Sequence, residues 1–387
     1  EGLYEKVVPI HLSKFATKAT QFIQRAKKKA WSPADVKERV ARFDARDERT
    51  SVFLRLATRI FRDYERQKEE ECKIDFDDLL LEATELVRST EGQCSFRINH
   101  QRPIRVSDLK WIIVDEFQDF SPLFDNLIAA VRCSNPGVRL FCVGDDWQAI
   151  NGFAGSDLAF FRGFEKQYAE SIRKELLTNH RSCTNVVVQS NALMRGLGPG
   201  AKVRKGAPTG LIELDAVDDV WVELRSHEDF ADEYHSDEGF RFSDKKGNTD
   251  LLASKYLKRC YQLITASENT GRKVAILSRT NRIYSIPLPR FKRRLLACLS
   301  EEERREFDDP RDDIRVSTVH RFKGLEEEIV ILVRACEGSF PLLHPDNSLF
   351  TVFGRDEADV LNEERRLFYV AMTRAKERLY ILTERGR

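Results

Sequence analysis

The run Trp111-Ile112-Ile113-Val114, followed at once by Asp115-Glu116, constrains this chain more than any other feature. Four apolar residues in a row read as a short buried strand, the kind a parallel sheet with crossovers uses. A second such run, Leu140 to Val143, ends at Gly144-Asp145-Asp146, and a helical stretch around Leu123–Val131 lies between them. Strand, helix, strand at this spacing predicts α/β architecture with a parallel sheet. In open α/β sheets, ligands gather outside the carboxyl ends of the strands. The acidic residues fall at those ends.

With 387 residues the chain is too long for one ordinary core, which predicts two or three domains. Charged residues make up 33% and the net charge is +1, so the whole-chain field gives no case for nucleic acid and any basic groove must be local. The longest apolar runs are far too short to span a bilayer, and the N-terminus EGLYEKVVPI has no signal-peptide pattern. No membrane association and a cytoplasmic location are expected. The eight cysteines contain no C-x-x-C pair, so they read as reduced thiols of an intracellular protein rather than a zinc site.

Residues 1–110 read as mostly helical. Ser32-Pro33 is a cap followed by proline at the first helical position, and Asp75 caps a later helix. Residues 1–74 are assigned to a helical accessory subdomain, 75–177 to a first lobe, and 178–387 to a second. Residues 196–210 are a glycine- and proline-rich loop, and 225–250, polar and poor in aliphatics, read as a flexible insertion. Strands return at Val274–Leu277, Ile314–Ser317, Ile329–Val333 and Leu379–Leu382, with a helix over 362–375.

An adjacent Asp-Glu pair at a strand end suits nucleotide hydrolysis, in which one carboxylate holds magnesium and the other sits by the attacking water. Yet no G-x-x-x-x-G-K-[ST] phosphate loop occurs in the chain. VDEFQD (114–119), VGDDWQAINGFAG (143–155), LLTNHRS (176–182), STVHRFKGLEEEIVIL (317–332) and EERRLFYVAMTRAKERLYIL (363–382) follow in that order. Together, over residues of about 75 to 383, they resemble superfamily 1 helicases of the UvrD/Rep type, and VGDDWQAI is especially similar to the DNA helicase IV branch.

The resemblance implies two RecA-like parallel-sheet lobes, the first N-terminally incomplete, with a helical insertion before the Walker B strand, Trp111–Val114. It implies ATP and Mg2+ as cofactors, bound between the lobes. Asp115 would hold the metal and Glu116 would orient the water. Gln148 would sense the γ-phosphate. Arg181 and Arg374 would approach that phosphate, where guanidinium groups match the charge of the transition state. Glu326, with Gly324 in the same KGLE run, would bind the ribose. His180 stands where relatives place an adenine-stacking tyrosine, and stacks more weakly. Phe153, Asn151, His320, Thr318 and Lys323 would face DNA; Phe153 stands for a usual tryptophan, Asn151 for a tyrosine, and Ala154 for an arginine. The basic runs 25–29 and 290–294 are candidates for phosphate contact or for solvated helix faces.

The function implied is ATP-dependent movement along single-stranded DNA, or along duplex with a single-stranded tail, with 3′→5′ polarity; a protein partner is possible. The phosphate loop is expected upstream of Glu1, and the large helical domain many relatives carry after Arg181 is absent or reduced. Two alternatives stay open. One is an inactive regulatory module that binds DNA or a partner. The other is a two-metal nuclease on Asp115, Glu116, Asp145 and Asp146, which leaves Gln148, Arg181 and Arg374 without a task.

Overall fold

A computed structural model describes residues 2–99, 102–168, 170–220 and 248–385, with the side chains of 2–11, 153 and 248–250 outside the description. The insertion expected at 225–250 therefore lies almost wholly outside the described residues. The chain forms two compact units, residues 1–173 with 344–360, and residues 174–343 with 361–387. The segment 344–360 joins the first unit, although the division by sequence placed it in the second lobe.

The first unit opens with four helices: α1 (Gly2–Lys28), α2 (Pro33–Arg42), α3 (Glu48–Glu70) and α4 (Phe76–Ser89). Ser32 and Asp75 close capping boxes on α2 and α4, each side chain bonding the backbone three residues on. Phe22 on α1 and Phe53 and Phe61 on α3 form a core with Phe350 and Phe353, from the segment that returns late in the chain. These helices precede β1 (Trp111–Val114), α5 (Pro122–Ser134) and β2 (Arg139–Cys142).

β1 and β2 pair in parallel, Trp111 opposite Arg139 and Val114 opposite Cys142. The expectation of a buried strand is corrected here. Ile112, Val114, Leu140 and Cys142 pack against Phe117, Phe120 and Ile128, whereas Ile113 is 72% exposed. Side chains alternate along a strand, and in this two-stranded sheet only one face meets that core.

The second unit is built on five parallel strands: β3 (Leu211–Ala216), β4 (Val274–Ser278), β5 (Ile314–Thr318), β6 (Glu327–Leu332) and β7 (Ala375–Thr383). Their spatial order is β5-β4-β6-β7-β3. Val330 of β6 sits between Ala275 and Leu379, which fixes the register at the sheet centre. β4 is buried along its whole length, as a strand covered on both faces must be. Around the sheet run α6 (Thr184–Leu193), α7 (Asn248–Thr265), α8 (Leu288–Cys298) and α9 (Glu357–Met372). No helix among the described residues is long and apolar enough to cross a membrane.

Candidate functional site

In the first unit the candidate residues stand where β1 and β2 end. The Phe117 N–H donates to the Val143 carbonyl (2.8 Å), which ties the two strand-end loops together. Asp115 and Glu116 are both exposed. Asp115 Oδ1 accepts the Glu116 N–H (2.8 Å). Glu116 lies in the left-handed region, at φ 52° and ψ 40°, an uncommon place for a non-glycine residue and one that turns the chain sharply after the strand.

Glu116, Gln148 and Asn151 are not scattered around these loops. Gln118 Nε2 donates to Glu116 Oε2 (2.5 Å), and Gln118 Oε1 accepts the Asp145 N–H (2.9 Å). Gln148 Nε2 in turn donates to Asp145 Oδ2 (2.8 Å). Beside this chain, Asn151 Nδ2 donates to Asp119 Oδ2 (2.7 Å). Acid and sensor candidates thus share one hydrogen-bonded frame. Gln118, Asp119 and Asp145 were not singled out from sequence as its struts. The Phe153 side chain lies outside the described residues.

An exposed carboxylate at a strand terminus is a hard oxygen donor of the type magnesium takes, so Asp115 fits the metal expected there.

In the second unit a cationic group forms around Glu326. Arg181 Nε bonds Glu326 Oε2, and Lys376 Nζ bonds Oε1 at 2.9 Å. The Lys376 hydrogen bond, and next the Arg181 guanidinium, hold the Glu326 carboxyl below its ordinary range against the opposing effect of burial. The turn that presents Arg181 is organised by Asn179, whose Oδ1 accepts the N–H groups of Arg181 (2.9 Å) and Ser182 (2.8 Å). The Cys183 N–H donates to the Lys376 carbonyl (2.8 Å), which brings that turn beside β7. Lys376 and Asn179 were missed from sequence; neither carries a signal beyond its neighbours' motif.

Arg374 is placed differently from an arginine held out toward a ligand. It is 1% exposed. Its Nε donates to the Val370 carbonyl (2.9 Å) and its Nη1 to the Leu325 carbonyl (3.2 Å). Its own carbonyl accepts the Glu327 N–H (3.0 Å). Arg374 therefore grips the chain on both sides of Glu326. Gly324, at φ +81°, makes the turn into that segment in a conformation glycine adopts readily. His180 is exposed on the Arg181 turn.

The loop after β5 carries the other DNA candidates. Thr318 is buried, and its hydroxyl accepts the Arg321 N–H (3.3 Å), so this side chain closes the turn. His320 and Lys323 are half-buried. Burial, reinforced by the Arg279 and Lys323 cations, pushes the His320 imidazole down to about 4. Arg279 is itself gripped by Glu364 through three contacts of 2.6 to 3.1 Å.

The basic run 25–29 is spent inside the first unit, which corrects both readings offered for it. Lys27 contacts Glu65 (3.3 Å), Asp75 (2.5 Å) and Asp78 (2.5 Å); Lys28 pairs with Asp77 (2.5 Å), and Lys29 with Asp157 (3.3 Å). Arg25 stacks over Phe350 at 3.8 Å. In the run 290–294, Phe291 is buried while Arg290 and Arg293 are exposed, as on an amphipathic helix.

Residues 2–169 match the UvrD/REP helicase N-terminal domain, and residues 243–386 match the UvrD-like helicase C-terminal domain. DNA helicase IV of Escherichia coli (strain K12) is 28% identical over 72% of this chain and 34% of its own length. The putative ATP-dependent DNA helicase YjcD of Bacillus subtilis (strain 168) is 24% identical over 84% of this chain and 57% of its own. A probable DNA helicase of Mycoplasma pneumoniae is 25% identical over 80% of this chain and 48% of its own. The chain thus spans from about a third to under two thirds of these relatives. Both characteristic domains of one family follow each other here, on parallel α/β lobes of the RecA-like kind, and the chain belongs to the UvrD/Rep-type superfamily 1 helicases.

Proposed function

We propose that this chain carries the hydrolytic and coupling residues of an ATP-dependent motor that moves along single-stranded DNA, or along duplex with a single-stranded tail. The observation that carries the reading is the hydrogen-bonded frame joining Glu116, Gln118, Asp145 and Gln148. It links the residue suited to orienting water with the residue suited to sensing the terminal phosphate. In this reading Asp115 holds magnesium and Glu116 orients the water. Glu326 takes the ribose hydroxyls, and Arg181 supplies positive charge to the phosphoryl oxygens. Arg374 fixes the backbone on both sides of Glu326, and acts on charge through that placement as well as through its own guanidinium. When bound, magnesium neutralises the phosphate charge that develops during hydrolysis. DNA would meet the 151–154 turn of the first unit and the loop after β5 of the second. Stacking and phosphate contact tolerate any sequence, which suits a translocating protein. The 3′→5′ direction, a cytoplasmic location and a protein partner belong to the same proposal and rest on the family resemblance.

The test is DNA-stimulated ATP hydrolysis by the native full-length protein. Glu116→Gln and Arg181→Ala should each reduce turnover by about a thousandfold. Retained turnover in both would refute the assignments.

One observation favours a second reading. The 387 residues contain no G-x-x-x-x-G-K-[ST] run, the motif whose lysine would neutralise the phosphates. A domain of this form could hold DNA or a partner without turnover. Titration of this chain with magnesium-ATP separates the two, since tight binding argues against the inactive module.

A further inference from the structure

Gln118 sits between the acids and Asp119 in VDEFQD, where its neighbours absorb the attention of any motif reading. It is 2% exposed. Its side-chain amide spans two loops, with Nε2 on Glu116 Oε2 (2.5 Å) and Oε1 on the Asp145 N–H (2.9 Å). The orientation is not interchangeable. An ionised carboxylate only accepts and a backbone N–H only donates, so a flipped amide would set acceptor against acceptor and donor against donor. The space is also fixed. A Cβ on Gly144 would lie 2.6 Å from Gln118 Oε1 and 2.9 Å from the Phe161 ring, so this glycine is what lets the amide in. Beyond the amide, Asp145 Oδ2 holds Gln148, and Asp145 Oδ1 caps the Trp147 N–H (3.0 Å).

We propose that Gln118 is the positioning residue for Glu116, and the strut through which movement of the 144–148 loop reaches it. The inference rests on the reading of Glu116 as the water-orienting carboxylate. Glu116 has several side-chain torsions and an unusual backbone conformation, so its carboxylate needs an external hold to keep one direction. The buried Gln118 amide, bonded also to the next loop, supplies such a hold. If Gln148 shifts on meeting a terminal phosphate, Asp145 shifts with it, and Gln118 transmits the change to the carboxylate. A residue that only filled space would need neither hydrogen bond.

The experiment uses the native full-length protein with saturating single-stranded DNA. Turnover is normalised to active sites counted by nucleotide-binding stoichiometry. Gln118→Met keeps bulk and removes both hydrogen bonds. The expected result is a fall in kcat of at least tenfold, with KM for magnesium-ATP and DNA affinity within about twofold of wild type. On a Glu116→Gln background the same substitution should change the single-turnover rate by less than about twofold, because Gln118 acts through Glu116. If Gln118→Met fails to fold, Gln118→Asn keeps a buried amide but is one methylene too short to span both loops, and should show the same split. An unchanged kcat, or an equal fall on both backgrounds, overturns the inference. Turnover retained by Glu116→Gln alone would instead sink the underlying reading of the site.

Discussion

Arg181 is ion-paired to Glu326, whose other oxygen is held by Lys376 at 2.9 Å. A carboxylate with a cation on each oxygen stays ionised, and an ionised carboxylate accepts hydrogen bonds from sugar hydroxyls more strongly than a neutral amide does. Glu326→Gln should therefore weaken binding of ATP by about tenfold, in line with the ~1.4 kcal/mol by which a charged hydrogen bond exceeds a neutral one. It should weaken binding of 2′,3′-dideoxy-ATP hardly at all. Competition titration of the two nucleotides against the native protein measures this. Undiminished discrimination in the variant would remove Glu326 from the sugar site.

Arg374 answers to two demands, and its substitution should show both. The side chain is 1% exposed and bonds the carbonyls of Val370 and Leu325. Arg374→Ala would remove one hydrogen bond from each of the Val370 and Leu325 carbonyls and open a cavity, at a cost of about 2–4 kcal/mol. Arg374→Lys keeps the charge but lacks the planar fork that reaches two carbonyls at once. Both variants should lower the urea midpoint, with Arg374→Lys less affected. Loss of ATPase in Arg374→Ala is thus interpretable only beside a folding measurement. A midpoint equal to that of wild type would mean these bonds contribute nothing to stability.

The central strands of the second unit are visible in the sequence because burial on both faces leaves an unbroken apolar run. Ile329–Val333 and Val274–Leu277 are of this kind, and β6 and β4 cover them within one or two residues. β3, Leu211–Ala216, is not visible. It lies at the sheet edge, and its Glu213 and Asp215 point to Arg259 of α7, so polar residues interrupt the pattern. The return of 344–360 to the first unit is equally hidden. It depends on Phe350 and Phe353 meeting Phe22, Phe53 and Trp31, more than 290 residues away, and spacing carries no such information. At the candidate site, the sequence pointed to motif residues alone. Their supports were not legible, because Gln118, Asn179 and Lys376 act by reach across loops rather than by periodicity.

His320 gives a prediction in pH. Burial, with Arg279 and Lys323 nearby, places its imidazole at about 4, against 6.5 for an unhindered histidine. The unfolded chain therefore binds a proton between about pH 6.5 and 4 that the folded chain refuses. Stability from this group is complete above pH 6.5 and falls as pH drops toward 4. Denaturant midpoints across that window should slope downward with acid, and His320→Gln should flatten the slope. DNA binding between pH 7 and 8 should show no titration from His320, because the ring is already neutral there. A proton NMR titration that placed this imidazole near 6.5 would contradict both statements.

Lys27 gives the opposite kind of pH test. It is 5% exposed and touches Glu65, Asp75 and Asp78 together, with Lys68 also on Asp78. These three carboxylates could be taken for a metal site, but two ammonium groups already lie among them. Burial alone would raise Asp75; the Lys27 hydrogen bond, the Asp78 N–H and the Tyr64 hydroxyl outweigh it and hold Asp75 far below its ordinary range. A carboxyl depressed in this way contributes stability above about pH 4 and loses it as acid protonates the folded state. Lys27→Met would leave Lys68 as the one ammonium group contacting the three carboxylates around an apolar chain, a loss of about 3 kcal/mol near neutral pH. The deficit should shrink below pH 4, where carboxyls in excess of the remaining ammonium group take up protons and their repulsion ends. Urea unfolding of wild type and variant at pH 7 and pH 3.5 measures the difference. A deficit of equal size at both values would show that packing of the lysine stem, rather than its charge, joins α1 to α3 and α4.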